Sequence, residues 1–232
     1  MELIMDGVLQ AFWLLWQRDP GVLEISWLTI KITGSATMVS VIFGIPFGAL
    51  LALGKLPGRR FVMSLVYTGM GFPPVVAGLV VSIIFWRSGP LGVLGLMYTP
   101  AAMIIAQGLI AVPLVAGLTV AALQQLDKKL PLQLKALGAS RRQLFWTMLK
   151  EARLGLLAAV MAGFGGVVSE VGAASMVGGN ILHRTRVLTT ATVLEVSRGN
   201  FGMAIALSVI LMLVAYGLVL VMMLAQQRGR EI

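Results

Sequence analysis

Apolar residues run along this chain in long blocks separated by short polar ones, and the lengths of those blocks set the elements. A helix that crosses a bilayer needs about 20 mainly apolar residues. Five blocks meet that requirement: 25–53, 61–86, 99–123, 154–178 and 202–226. The predicted fold class is therefore an all-α integral membrane protein with five transmembrane helices. Ahead of them, MDGVLQAFWLLW is apolar for only about ten residues, too few to span. It is stopped by Gln17, Arg18, Asp19 and Pro20. Leu9, Phe12, Trp13 and Trp16 recur at helical spacing. They predict an N-terminal interfacial helix within residues 1–24, followed by a transmembrane domain over 25–232.

Composition strengthens the membrane reading. The chain has 232 residues, 58% hydrophobic and 12% charged, against about 25% charged in soluble domains. Glu2 and Asp6 near the start, with no basic run, do not resemble a cleaved signal peptide. There is no cysteine and a single histidine, which excludes disulfides, thiolate metal sites and histidine clusters; neither metal nor cofactor is expected. The net charge of +9 reads as loops obeying the positive-inside bias rather than as nucleic-acid binding.

That bias also sets the orientation. One side of five spans receives Lys55, Arg59, Arg60, seven cations between residues 124 and 153, Arg228 and Arg230, twelve in all. The other receives six: Arg18, Lys31, Arg87, Arg184, Arg186 and Arg198. The richer side is predicted to be cytoplasmic, with the N-terminus outside and the C-terminus inside.

Glycine and proline lie inside several blocks, among them Gly34, Gly44, Pro46, Gly108, Pro113, Gly165 and Gly166. Close helix packing explains most of them. The mid-span pair Pro73-Pro74 is different, because two adjacent prolines remove two backbone donors and break a helix. Broken backbone at membrane depth is tolerated where it is buried in protein or lines a wet cavity. Pro73 and Pro74 are therefore candidates for the translocation path.

Between the third and fourth blocks lies a basic island, residues 124–153, with seven of the chain's eighteen Lys and Arg and only Asp127 and Glu151 as acids. Pro131 suits a first helical turn, and Gly138 suits the position just past a helix end. Ser140 followed by Gln143 reads as a capping box opening a second helix, whose apolar face is Leu144, Phe145, Met148 and Leu149. A helix–Gly–helix knob of this kind fits a groove on a cytoplasmic partner.

The island resembles the coupling loop of ABC importer permeases, in which Glu-Ala-Ala, three residues and Gly precede, after nine more residues, Ile-x-Leu-Pro. Gly138 matches the glycine and Met148 the isoleucine position; Leu132-Gln133-Leu134 and Lys150-Glu151 depart from the pattern. The resemblance implies that Leu134, Lys135, Ala136, Leu137, Gly138, Ala139, Ser140 and Arg141 couple to an ATPase.

A second constellation, residues 165–202, is similar to oxyanion-importing permeases. Ser169-Glu170-Val171-Gly172-Ala173-Ala174, Gly179-Asn180-Ile181, Thr185-Arg186-Val187-Leu188 and Gly199-Asn200-Phe201 carry it, with Leu56-Pro57-Gly58, Phe72-Pro73-Pro74-Val75-Val76 and Gly89-Pro90-Leu91-Gly92 upstream. The wording is most like the tungstate permeases of the molybdate/tungstate family. Membership would imply a type I ABC importer permease fold, a homodimer, two cytoplasmic ATP-binding subunits and an external substrate-binding protein. The cargo would be a tetrahedral oxyanion such as tungstate, molybdate or sulfate.

Within this constellation, Glu170 is an intramembrane acid, which is functional by default. A bare carboxylate would repel an anionic cargo, so Glu170 is expected either to accept hydrogen bonds from broken backbone or to pair with a basic residue, Arg186 being the partner to test. Gly172 and Ser175 join it on the candidate path. Arg184, Arg186 and Arg198, with Asn180, form an expected outer patch that docks the binding protein and attracts a dianion. Thr185, Thr189 and Thr190 are expected to add neutral donors, and His183 to lie at the docking surface.

The chain carries no phosphate-binding loop of the G-x-x-x-x-G-K-[ST] type, so ATP hydrolysis is assigned to a separate subunit. No paired aspartates, H-E-x-x-H or Ser/His arrangement suggests an intramembrane enzyme. An ion-coupled secondary transporter would be longer, with inverted halves.

Overall fold

The computed structural model describes residues 2–54 and 56–228, with side chains to residue 224. Lys55, Arg230 and the side chain of Arg228, used in the orientation count, lie outside the described residues. The order is α1 (Glu2–Trp16), α2 (Pro20–Leu53), α3 (Arg59–Met70), α4 (Pro74–Phe85), a 3-10 turn (Gly92–Leu94), α5 (Pro100–Gln124), α6 (Leu130–Ala136), α7 (Arg141–Glu151), α8 (Arg153–Val168), α9 (Gly172–Gly178), α10 (Leu188–Ser197) and α11 (Phe201–Arg228). Every regular element among the described residues is helical.

Three helices, α2, α5 and α11, are long and apolar enough to cross a membrane, and the count rises to five if each of two bent pairs is one span. One bent pair is α3 with α4, turned through 102°; the other is α7 with α8, turned through 68°, which differs from the predicted fourth block 154–178, built from α8 and α9. The first span opens earlier than its apolar block. Asp19 accepts a hydrogen bond from the Val22 N–H at 2.9 Å, and Pro20 occupies the first turn, so a side-chain cap sets the start. At 34 residues, α2 is about 50 Å long, more than the roughly 30 Å hydrocarbon core.

The central helix is α5. Its Val112–Thr119 stretch lies against Gly44 and Gly48 of α2, with residue numbers rising together, so α2 and α5 run parallel. A Cβ on Gly48 would overlap the Ala116 carbonyl. Val115 of α5 packs on Gly163 of α8, Pro113 on Gly69 of α3, and Met103 on Gly178 of α9.

One side of α2 buries Ser26, Thr29, Thr33, Thr37 and Ser40. Thr33 and Thr37 donate to carbonyls four residues back at 2.8 Å, and Ser40 to Thr37 at 2.7 Å. Their hydroxyls are thus paired within the helix, and their small size lets neighbours approach. Thr29 also accepts from the Leu188 N–H at 2.9 Å, so α2 caps the first turn of α10.

Helix α1 lies along α11. Gly7 meets Ile205, and Gln10 approaches Gly202; the numbers run in opposite senses, so the two are antiparallel. Ala11 and Leu14 join Leu188, Ala191, Ala206, Leu207 and Ile210 in one buried cluster. Met5, Leu9, Phe12 and Trp16 remain exposed on another face of α1.

Candidate functional site

The breaks inside two of the predicted apolar blocks meet. The second predicted block, 61–86, is interrupted at residues 71–73, where Pro73 and Pro74 open α4. The fourth, 154–178, is interrupted at residues 169–171, between α8 and α9. A Cβ on Gly172 would lie 3.0 Å from Val75 Cγ2 and 3.8 Å from the Val75 nitrogen. The start of α9 therefore abuts the start of α4. Beyond the breaks the two helices pack along each other, Val81 and Phe85 joining Ala173, Ala174 and Val177 in one core.

Glu170 stands at this junction and is 8% exposed. Its Oε1 accepts from the Ala173 N–H at 2.8 Å, and its backbone carbonyl accepts from Thr189 Oγ1 at 3.2 Å. The carboxylate thus caps the first turn of α9, where free N–H groups and the helix dipole favour negative charge. The expected pairing with Arg186 is not made. Arg186 donates instead to the Asn180 side chain and carbonyl, both at 3.2 Å. The reason is local: breaking α8 exposes α9's donors three residues from the acid, closer than any guanidinium.

The threonines expected to offer donors to cargo are also committed elsewhere. Thr185 is fully buried, donating to the Gly178 carbonyl and accepting from the Ile181 N–H. Thr190 bonds to the Val187 backbone at 3.1 Å in both directions. These contacts fix the 179–187 loop, where Asn180 (φ 51°) and His183 (φ 61°) take left-handed backbone. His183 Nδ1 lies 2.7 Å from Glu24 Oε2 on α2. Arg198 pairs with Glu195 at 2.9 Å. The Arg184 side chain is exposed and makes no hydrogen bond or ion pair among the described residues.

Around the junction, one face of the protomer is open. Pro73, Val75 and Val76 are exposed, and so is Ser169, whose hydroxyl donates to Gly165 at 2.8 Å. Ala158, Ala162 and Gly165 continue this exposed line down α8. Of the path candidates named from sequence, Pro73, Pro74, Glu170 and Gly172 come together at this junction, and Ser175 lies within α9. Ser169 and Val75 stand in the sequence motifs but without a path role there, and for Ser169 the recurrence of small residues every three or four positions in 158–169 was the available signal.

The basic island takes the helix–Gly–helix shape. Gly138 follows α6 with φ 80°, the left-handed region where glycine carries no Cβ penalty. Ser140 accepts from the Gln143 N–H at 3.3 Å, and Gln143 Oε1 accepts from the Ser140 N–H at 2.8 Å, completing the capping box. Met148 of α7 is buried with Ala49, Leu123 and Ala152, and Leu144, Phe145 and Leu149 pack around them. Leu132, Leu137 and Trp146 are exposed, Leu137 by 83%. Leu134 and Ala139 are half-buried, and Lys135, Ala136 and Arg141 exposed.

A bundle of apolar helices with two breaks sharing one junction, and a capped polar knob at one end, defines a membrane permease component. Residues 44–229 match the model of the binding-protein-dependent transport system inner membrane component family, and the chain belongs to that family. It is a transport component of a cell membrane rather than an enzyme. Among relatives, the chain is 37% identical to the tungstate uptake system permease protein TupB of Peptoclostridium acidaminophilum, over 94% of this chain and 96% of the relative. It is 35% identical to the TupB protein of Campylobacter jejuni, over 93% and 90%. The fold resembles the inward-facing MetNI methionine ABC transporter, with a TM-score of 0.69, 22% identity, and coverage of 93% and 95%.

Proposed function

We propose that this chain is the permease subunit of an ATP-driven importer for a tetrahedral oxyanion, tungstate first. The carrying observation is likeness to tungstate uptake permeases along nearly the whole chain. The proposed assembly is a homodimer with two cytoplasmic ATP-binding subunits and an external binding protein. Each protomer spans five times, with α1 as an accessory helix packed antiparallel along the first part of α11 and the C-terminus in the cytoplasm.

In this reading the ATPase grips residues 134–141, and exposed Leu132 and Leu137 fill its groove. Its closure pushes α7 against the inner ends of α2 and α5, and the motion reaches the junction of breaks through α8. The outer half-helices α4 and α9 move as one unit because they share a core, hinging at residues 71–73 and 169–171. A second copy covers the exposed line Ala158, Ala162, Gly165 and Ser169, so that the two junctions face each other across the path. Glu170 holds α9 in place rather than touching cargo, its carboxylate accepting from the Ala173 N–H. Within the outer patch of Arg184, Arg186 and Arg198, Arg184 is the cation left without a partner among the described residues to attract a dianion, and His183, Asn180, Arg186 and Arg198 shape the docking surface.

The test is co-purification followed by reconstitution. The chain should carry the ATPase with it, and proteoliposomes holding both should take up tungstate in the presence of the binding protein and ATP. Molybdate and sulfate as competitors decide the cargo. Stronger uptake of either one would replace tungstate while keeping the class.

A further inference from the structure

Between the inner end of α2 and the basic island lies a cavity of about 760 Å³, within the roughly 300–1,000 Å³ range of ligand sites. Its lining has two characters. Leu50, Leu53, Leu144 and Phe145 supply an apolar floor, and Lys135 and Arg141 supply a cationic rim.

Both cations belong to the segment proposed above to meet the ATPase, but within this chain neither side chain has a hydrogen-bond or ion-pair partner among the described residues. Nor do they serve the carbonyls at the end of α2, because Arg59 already does: its Nε donates to Leu51 O at 2.6 Å and its Nη2 to Ala52 O at 3.2 Å. Both are exposed, and an anion entering the cavity mouth would meet two positive charges on its rim. The floor narrows the choice of anion. A small hydrated oxyanion gains nothing from leucine and phenylalanine, whereas an amphiphile uses both parts of the lining. The surroundings are those of a membrane boundary. Helix α7 turns 68° away from α8, and Trp146 on it is 54% exposed, as interfacial tryptophans are.

We infer that this cavity binds an anionic phospholipid, its phosphate between Lys135 and Arg141 and its first acyl methylenes on Leu50, Leu53 and Phe145. The inference rests on the orientation proposed above, which puts the island at the cytoplasmic leaflet, where anionic lipids meet basic pockets between helices. Such a lipid touches both α2 and the coupling segment, so it ties the moving knob to the first span.

Native mass spectrometry of the full chain, titrated with phosphatidylglycerol or phosphatidylcholine, tests this directly. Phosphatidylglycerol should be retained preferentially. The double variant Lys135→Gln/Arg141→Gln should lower its retention by roughly ten- to thirty-fold and leave phosphatidylcholine unchanged. Ala139→Phe, which keeps both cations but narrows the cavity, should also lower it, while Arg87→Gln on the opposite side should not. Equal retention of the two lipids, an unchanged double variant, or complete displacement by excess inorganic phosphate would overturn the proposal, the last by making this a free-anion site. Lipid retention needs neither ATP nor oxyanion, so failure of the cargo reading leaves this readout intact.

Discussion

Glu170 sits at the break between α8 and α9 and bonds to the first turn of α9. Its carboxylate accepts from a backbone N–H inside an apolar core, and hydrogen bonds to charged groups contribute about 1.5–3 kcal/mol. Glu170→Ala leaves that donor unpaired and is expected to destabilise the chain by about that amount, read as a lower thermal midpoint in detergent, with uptake reduced in parallel. Glu170→Gln keeps an acceptor oxygen at the same place and is expected to hold most of the stability. Equal losses in both variants would mean that charge, and hence an unseen cation, matters more than the cap. The acid itself was legible in the sequence as a lone charge in a glycine-rich span. Its partner was not, because nothing in the letters 165–172 says that α8 stops at Val168 and presents new donors. The same blindness applied to Thr185 and Thr190: their hydroxyls suggest cargo donors until the loop they close is seen.

Elements were legible where a local rule governs them. Pro73-Pro74 marked a break, and Gly138 with the Ser140–Gln143 box marked two helices and the turn between them. The start of α2 at Pro20 was also written in Asp19-Pro20, but an apolar-block count overrides a cap signal that lies outside the block. What could not be read was contact between elements, since the abutting of Gly172 on Val75 joins residues almost a hundred positions apart. Close packing of α2 on α5 gives a sharp test of the described core. Gly48→Ala puts a methyl group into the Ala116 carbonyl, and overpacking of this kind costs about 1–3 kcal/mol. Gly34→Ala, on the same helix with open space around it, should be neutral, so the difference in thermal midpoint between the two is the measurement. The knob has its own test. Gly138→Arg forces a side chain into left-handed backbone, at about 1–2 kcal/mol, on an exposed turn. Membrane insertion is expected to be normal, while ATP hydrolysis by the partner loses its dependence on the binding protein. Normal uptake by that variant would remove Gly138 from the coupling element.

For the whole molecule, the exposed small-residue line on α8 is the expected seam between two copies. The chain has no cysteine, so single-cysteine variants report without background. Gly165→Cys is expected to cross-link copies in membranes under mild oxidation, whereas Trp27→Cys, on an exposed part of α2, should not; the reverse pattern would move the seam. The fold class and family came through the sequence because span lengths and the 165–202 wording are local and continuous. The assembly did not, because a seam is a property of two chains. The central claim is that this permease opens only when a separate ATPase moves it. The direct measurement is radiolabelled tungstate uptake into proteoliposomes, comparing the chain alone with the chain plus ATPase, binding protein and ATP. Uptake confined to the complete, ATP-supplied system is the expected result; uptake at a comparable rate by the chain alone would contradict the account.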